Sequence, residues 1–112
     1  MNAYRAGLLY ELRAGRWLRK RGYRILSRRY RAADGEIDLI ALDGDTVVFV
    51  EVKARPEGRM GAGADAVTAD KRRRIRNAAG GYLTAKGWQD CCCRFDILEF
   101  SRAGVQYMKN AF

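Results

Sequence analysis

Asp38, Glu51 and Lys53 are the residues whose types and spacing could do chemistry in this chain. Asp38 lies in Gly35-Glu36-Ile37-Asp38-Leu39-Ile40, and 12 residues separate it from Glu51-Val52-Lys53, which ends the run Val48-Phe49-Val50. Both segments are otherwise rich in the aliphatic residues that a fold buries. A charge in such surroundings costs on the order of several kcal/mol unless it is paired or holds a cation. Carboxylate oxygens suit Mg²⁺ or Mn²⁺, ions that often keep water and take further ligands from a substrate phosphate. Water on such an ion loses a proton more readily, and the ion stabilises charge building on a phosphate. Lys53 could orient that water, stabilise the transition state or, with a depressed pKa, act as a base. Together these are the parts of phosphodiester hydrolysis. The alternative is a buried ion network in which Asp38 pairs with Lys53 and Glu51 with an arginine.

The elements around these residues must bring them together. Residues 4–21 read as a helix with Tyr4, Gly7, Leu8, Glu11, Ala14, Gly15 and Leu18 on one face, and Gly22 ends it. That places Glu11 within a small, apolar face, where it is either solvated at the edge or paired with an arginine. Strands follow at 23–30, 36–42 and 46–54, the last two joined by Asp43-Gly44-Asp45, whose Asp-Gly pair favours a tight hairpin turn. The third strand is apolar on both faces, as a central strand requires. Residues 57–66 contain Gly58, Gly61 and Gly63 and read as a mobile loop. A second helix runs from about 68 to 86, with Lys71, Ile75, Ala78, Ala79 and Tyr82 on one face and Arg72, Arg73, Arg74 and Arg76 mostly outward. Strands at 94–100 and 105–109 complete the chain. The order α-β-β-β-α-β-β predicts a single α/β domain over residues 1–112, with a central mixed sheet of four to five strands flanked by helices. Because side chains alternate along a strand, Glu36 shares a face with Asp38, and Glu51 with Lys53. A hairpin presenting both faces to one side makes Asp38, Glu51 and Lys53 converge. Glu36 is an auxiliary ligand or a solvated strand start.

Charge points to a partner. The 112 residues hold 22 Lys and Arg against 13 Asp and Glu, a net charge of +9. Within residues 1–34 the basic side chains are Arg5, Arg13, Arg16, Arg19, Lys20, Arg21, Arg24, Arg28, Arg29 and Arg31, against only Glu11 and Asp34. Such clustering favours a polyanion, because each neutralised phosphate releases counterions. A solvated basic surface is the plainer reading, and a membrane surface fits less well because no strongly apolar face backs the charge. The sequence shows neither an apolar run of membrane-spanning length nor a signal-peptide core, which predicts a cytoplasmic protein. Histidine is absent. That excludes a histidine general base, histidine zinc sites and Ser-His-Asp hydrolysis. Cys91, Cys92 and Cys93 lack zinc-site spacing and read as structural or incidental.

Gly35-Glu36-Ile37-Asp38-Leu39-Ile40, followed by Phe49-Val50-Glu51-Val52-Lys53-Ala54-Arg55, resembles the YraN-type family of small bacterial nuclease-like proteins. That family belongs to the PD-(D/E)xK restriction-endonuclease-like superfamily and is similar to archaeal Holliday-junction resolvases. The resemblance extends to Gly7, Glu11, Ala14, Leu18 and Gly22, to Lys71, Arg74, Ala79, Tyr82 and Leu83, and to Arg94-Phe95-Asp96. It implies a restriction-endonuclease-like fold in which Asp38 and Glu51 bind the metal, Lys53 is the catalytic lysine and Glu11 is an additional acid and metal ligand. Two positions depart from the pattern: Ile37 stands where the superfamily has proline, and Arg29 where the family often has asparagine.

Two functions compete on this reading. One is an endonuclease dependent on Mg²⁺ (or Mn²⁺) that acts on DNA, branched or structured DNA included, with Arg5, Arg16, Arg55, Lys71, Arg72 and Arg74 holding the phosphate backbone. The other is a nucleic-acid-binding module with a vestigial site. A homodimer is compatible with either, since a symmetric junction needs paired sites and a free edge strand can pair.

Overall fold

The computed structural model of the chain describes residues 2–32, 34–55 and 67–112. Residues 57–66, expected to form a glycine-rich loop, lie outside them. The first helix, α1 (Ala3–Lys20), starts where the Asn2 side chain accepts the Arg5 N–H at 2.8 Å and stops before Gly22, whose φ of 89° an L side chain would resist. Strands β1 (Arg24–Ala32), β2 (Gly35–Asp43) and β3 (Thr46–Arg55) follow. Helix α2 (Ala69–Lys86) comes next, then β4 (Cys93–Ser101) and β5 (Gly104–Met108). Element order and fold class are those expected, and the strand ends differ from the expected ones by no more than two residues.

The strands form one mixed sheet in the order β1-β2-β3-β4-β5. All neighbours are antiparallel except β3 and β4, which run parallel because α2 crosses between them. Its central strand is β3, and Val47 to Val50 are no more than 1% exposed. Alternation divides that apolar run between two cores. Val47 and Phe49 pack toward α2 with Ile75, Ala78, Ala79, Tyr82 and Leu83. Val48 and Val50 pack toward α1 with Ala14 and Leu18. Fully burying one such side chain contributes about 1.5–3 kcal/mol, so the two cores fix both helices to the sheet. Tyr4, expected on the packed face of α1, is instead exposed, with the Arg29 guanidinium 5.0 Å from its ring centroid.

One irregularity shapes the site. On β2, Leu39 and Ala41 enter the α1-side core, yet Ile37 joins Ile40 in the α2-side core. Strict alternation would have put Ile37 with Leu39, so the period of two breaks at Asp38. Opposite it on β1, Arg29 has a φ of 51°, in the left-handed region. That residue turns the strand so that both Arg28 and Arg29 reach α1, their guanidinium groups lying near Gly15 and Gly7, while Tyr30 stacks edge-on against Tyr82 of α2. Simple alternation therefore fails between Ile37 and Leu39, although Glu36 and Asp38 still line one cleft.

Cys91 and Cys92 precede β4 and Cys93 opens it; all three are exposed free thiols. No helix among the described residues is long and apolar enough to cross a membrane.

Candidate active site

The β2–β3 ladder runs from the Asp43–Thr46 pair to Leu39–Val50 and stops there. Beyond that point the strands part, and a side chain replaces the next backbone bond: Asp38 Oδ2 accepts the Val52 N–H at 2.8 Å. This bond fixes the Asp38 carboxyl between the strands. It also brings it to Glu51, whose carboxyl is hydrogen-bonded to it. Glu51 is 5% exposed. Burial, reinforced by the bond to Asp38 and by its charge, pushes the Glu51 pKa up to about 9. Glu51 therefore keeps its proton near neutral pH.

Two lysines complete the cluster. Lys53, two residues along β3 from Glu51, has its pKa lowered by burial and by the neighbouring Lys71. Lys71 comes from the first turn of α2, which is set by Thr68: its Oγ1 accepts the Lys71 N–H at 3.2 Å. The Lys71 ammonium stands 3.7 Å from Glu51 Oε2. Burial works against its charge, but the hydrogen bond to Lys53 and the charges of Glu51 and Asp38 outweigh it, and its pKa is raised. The sequence placed Lys71 among residues that grip a polyanion; the fold places it against the buried acid. A Thr cap three residues before a lysine was the available signal, but the strand it meets is set by the tertiary fold.

Glu11 lies apart from this cluster. Arg29 Nε donates to its Oε1 at 2.6 Å and Arg29 Nη2 to its Oε2 at 3.3 Å. Burial raises the Glu11 pKa against the pull of Arg29, and the charges of Asp38 and Glu36 add to the rise. Its field therefore reaches the site while its oxygens are occupied. Arg29 went unrecognised as a site residue; its φ of 51° lies in the left-handed region, which asparagine tolerates better than arginine, and nothing in the local sequence announces that backbone.

An open cleft of about 430 Å³ exposes Asp38, Glu51 and Lys71, while Lys53 is not among the residues that line it. Its walls include Glu36, Asp38 and Glu51 from the strands and Asp70, Lys71 and Arg74 from α2. Glu36 pairs with Arg31 at 3.5 Å across β1 and β2. The approach of the two walls depends on Gly35, where a Cβ would lie 3.1 Å from the Arg74 carbonyl oxygen. Among the basic residues expected to hold a polyanion, Arg5 and Arg16 are exposed on α1, and Arg74 is exposed at the cleft while pairing with Asp70 at 2.8 Å. Arg72 Nε donates to the Val67 carbonyl at 2.9 Å, and Arg55 Nε lies 3.8 Å from buried Glu99, so both turn toward the protein.

The donor set fits a small hard cation. Asp38 and Glu51 offer carboxylate oxygens to an open cleft, and Mg²⁺ commonly takes one or two carboxylates, with water and phosphate as the remaining ligands. A cage of three or more acids is not formed among the described residues.

Comparison with other proteins places the chain in a family. Residues 10–100 match the model described as "Uncharacterised protein family UPF0102". A UPF0102 protein of Chlorobium chlorochromatii is 46% identical over 112 residues, covering 91% of this chain and 86% of that one. Another, from Chromohalobacter salexigens, is 47% identical over 112 residues, covering 96% and 90%. A third, from Symbiobacterium thermophilum, is 43% identical over 113 residues and covers 96% of each. With these matches spanning nearly its whole length, the chain belongs to the protein family UPF0102.

Proposed function

We propose that this protein is a divalent-cation-dependent endonuclease of the PD-(D/E)xK, restriction-endonuclease-like kind that hydrolyses phosphodiester bonds in DNA, branched or structured DNA included. The observation that carries this reading is the meeting of Asp38 and Glu51 at an open cleft where β2 and β3 part, with Lys53 near enough on β3 for their charges to act on it. Asp38 and Glu51 would hold Mg²⁺ or Mn²⁺, which when bound would activate water and stabilise charge on the phosphate. Lys53, its charge weakened by burial, is placed to exchange a proton with the attacking water or to donate to the phosphate. Arg74 at the cleft, with Arg5 and Arg16 on α1, supplies positive charge for the backbone on either side.

The test is a panel of flap, fork, four-way-junction and linear DNA substrates incubated with Mn²⁺. Cleavage by the wild type should fall by about 10²–10³-fold or more in Glu51→Ala and Lys53→Ala. Equal cleavage by wild type and both variants would refute the assignment.

A second reading, a nucleic-acid-binding module with a vestigial site, is favoured by one observation: Arg29 engages both oxygens of Glu11. It predicts metal-independent DNA binding that weakens by roughly 0.9 log units per contacted phosphate for each log unit of salt, and no cleaved product.

A further inference from the structure

Glu51 is an acid that the fold hides from water and then surrounds incompletely. One side of its carboxyl meets Asp38, another acid. Its charged neighbour at ion-pair distance is Lys71, whose Nζ is 3.7 Å away, too far for a good hydrogen bond yet close enough to balance charge. The backbone of Lys71 is anchored by Thr68, while its side chain is 40% exposed at the wall of the cleft. An ammonium so placed is fixed at its root and only loosely held at its tip, by Glu51 and Lys53. It sits where the carboxylates would otherwise face an arriving cation.

We propose that Lys71 is the resident counter-ion of the Asp38–Glu51 pair: it occupies the cation's place by charge, is displaced when a divalent ion binds, and then points its freed ammonium at a phosphate of the substrate. The inference rests on the proposed metal-dependent nuclease site and adds a positioning residue to it. A divalent ion and an ammonium repel at this range, so the ion enters only as Lys71 swings outward. The flexible stem of lysine permits that movement while Thr68 keeps the root in place. Removing the ammonium removes that repulsion, so the effect of the removal is tighter metal binding.

Mn²⁺ binding to the whole protein, followed by the loss of the free-ion paramagnetic resonance signal, tests this without any substrate. Lys71→Met should bind Mn²⁺ at least tenfold more tightly than wild type, and Lys71→Arg, which keeps the charge, should stay within about threefold of wild type. In cleavage assays at saturating Mn²⁺ the order reverses, with Lys71→Met slower than Lys71→Arg. Unchanged or weaker Mn²⁺ binding by folded Lys71→Met overturns the role of Lys71. Asp38→Asn separates that failure from a deeper one. If Asp38→Asn binds Mn²⁺ as wild type does, or no variant binds it, the metal site falls and the role of Lys71 with it. If Asp38→Asn abolishes binding while Lys71→Met leaves it unaltered, only the counter-ion role falls.

Discussion

Among the carboxylates buried in this sheet, Asp96 and Glu51 sit in clusters built in opposite ways. Asp96 on β4 is fully buried and surrounded by donors. Arg94 Nε reaches its oxygens at 3.0 and 3.2 Å, the Asn110 N–H at 3.0 Å, and the Tyr107 hydroxyl donates as well. Arg94 is itself held by Asp43 at 3.0 Å and by the Tyr23 hydroxyl at 2.7 Å. Burial followed by these bonds raises the Tyr107 pKa, which keeps that hydroxyl a donor. Glu51, by contrast, faces another acid and a loosely held lysine. Both clusters cost desolvation; among the described residues only the first recovers it. A closed network of this kind ties β2, β4, β5 and Tyr23, just before β1, together, whereas an open one leaves charge to be satisfied by another group. The contrast separates structural acids from candidate functional ones more sharply than burial does.

Truncation should break the two clusters unequally. Asp96→Ala strands Arg94 and Tyr107 in the interior and should cost about 3–5 kcal/mol in urea unfolding of the metal-free protein. Asp38→Ala removes one bond to a half-buried N–H but also removes the acid that Glu51 faces, so it should lie within about 1 kcal/mol of wild type. Equal costs would erase the distinction.

A smaller effect, of opposite sign, is expected at Glu51. Its folded pKa stands above its ordinary value of 4.5, at about 9. The unfolded chain releases this proton at lower pH than the folded one, so the stability it contributes is fully present below pH 4.5 and drains away as pH rises toward 9. A glutamine in its place donates to Asp38 as the protonated acid does, and never ionises. Metal-free Glu51→Gln should therefore be about 1–3 kcal/mol more stable than wild type at pH 8, the gain shrinking toward pH 5. Thermal unfolding across that range checks it, and a variant less stable than wild type at pH 8 would show that the folded site holds the Glu51 charge comfortably.

Much of this was legible locally. The apolar run of β3 revealed a central strand, Gly22 and Thr68 lie at helix ends where their backbone and capping preferences put them, and the parity of Glu51 and Lys53 set them on one face. Parity failed between Ile37 and Leu39, which enter different cores opposite the left-handed turn at Arg29 on the partner strand, and alternation on one strand carries no trace of that turn. The partners of the acids were hidden for a related reason. Glu11 meets Arg29 across 18 positions, and Arg94 meets Tyr23 across 71, distances at which only the packed sheet chooses the pairing. Arg55 and Arg72 carry the charge that a polyanion wants, but nothing in their neighbours announces that they turn inward.

The finest test of the contrast lies at Arg29, where the closed and open styles meet. Its guanidinium closes off Glu11 as Arg94 closes off Asp96, but from a backbone with a φ of 51° that an arginine adopts at a cost on the order of 1 kcal/mol. Arg29→Asn loses the ion pair with Glu11 and gains a residue suited to that backbone. The two terms are of similar size, so stability should change by no more than about 1 kcal/mol. What should change is the site: Glu11, already within the field of Asp38, loses its cation and becomes available as a third acid. Mn²⁺ affinity should then rise by roughly three- to tenfold, equivalent to about 1 kcal/mol. If affinity stays at the wild-type value while the variant folds normally, Glu11 belongs with the structural acids, and the candidate site ends at Asp38, Glu51 and the two lysines.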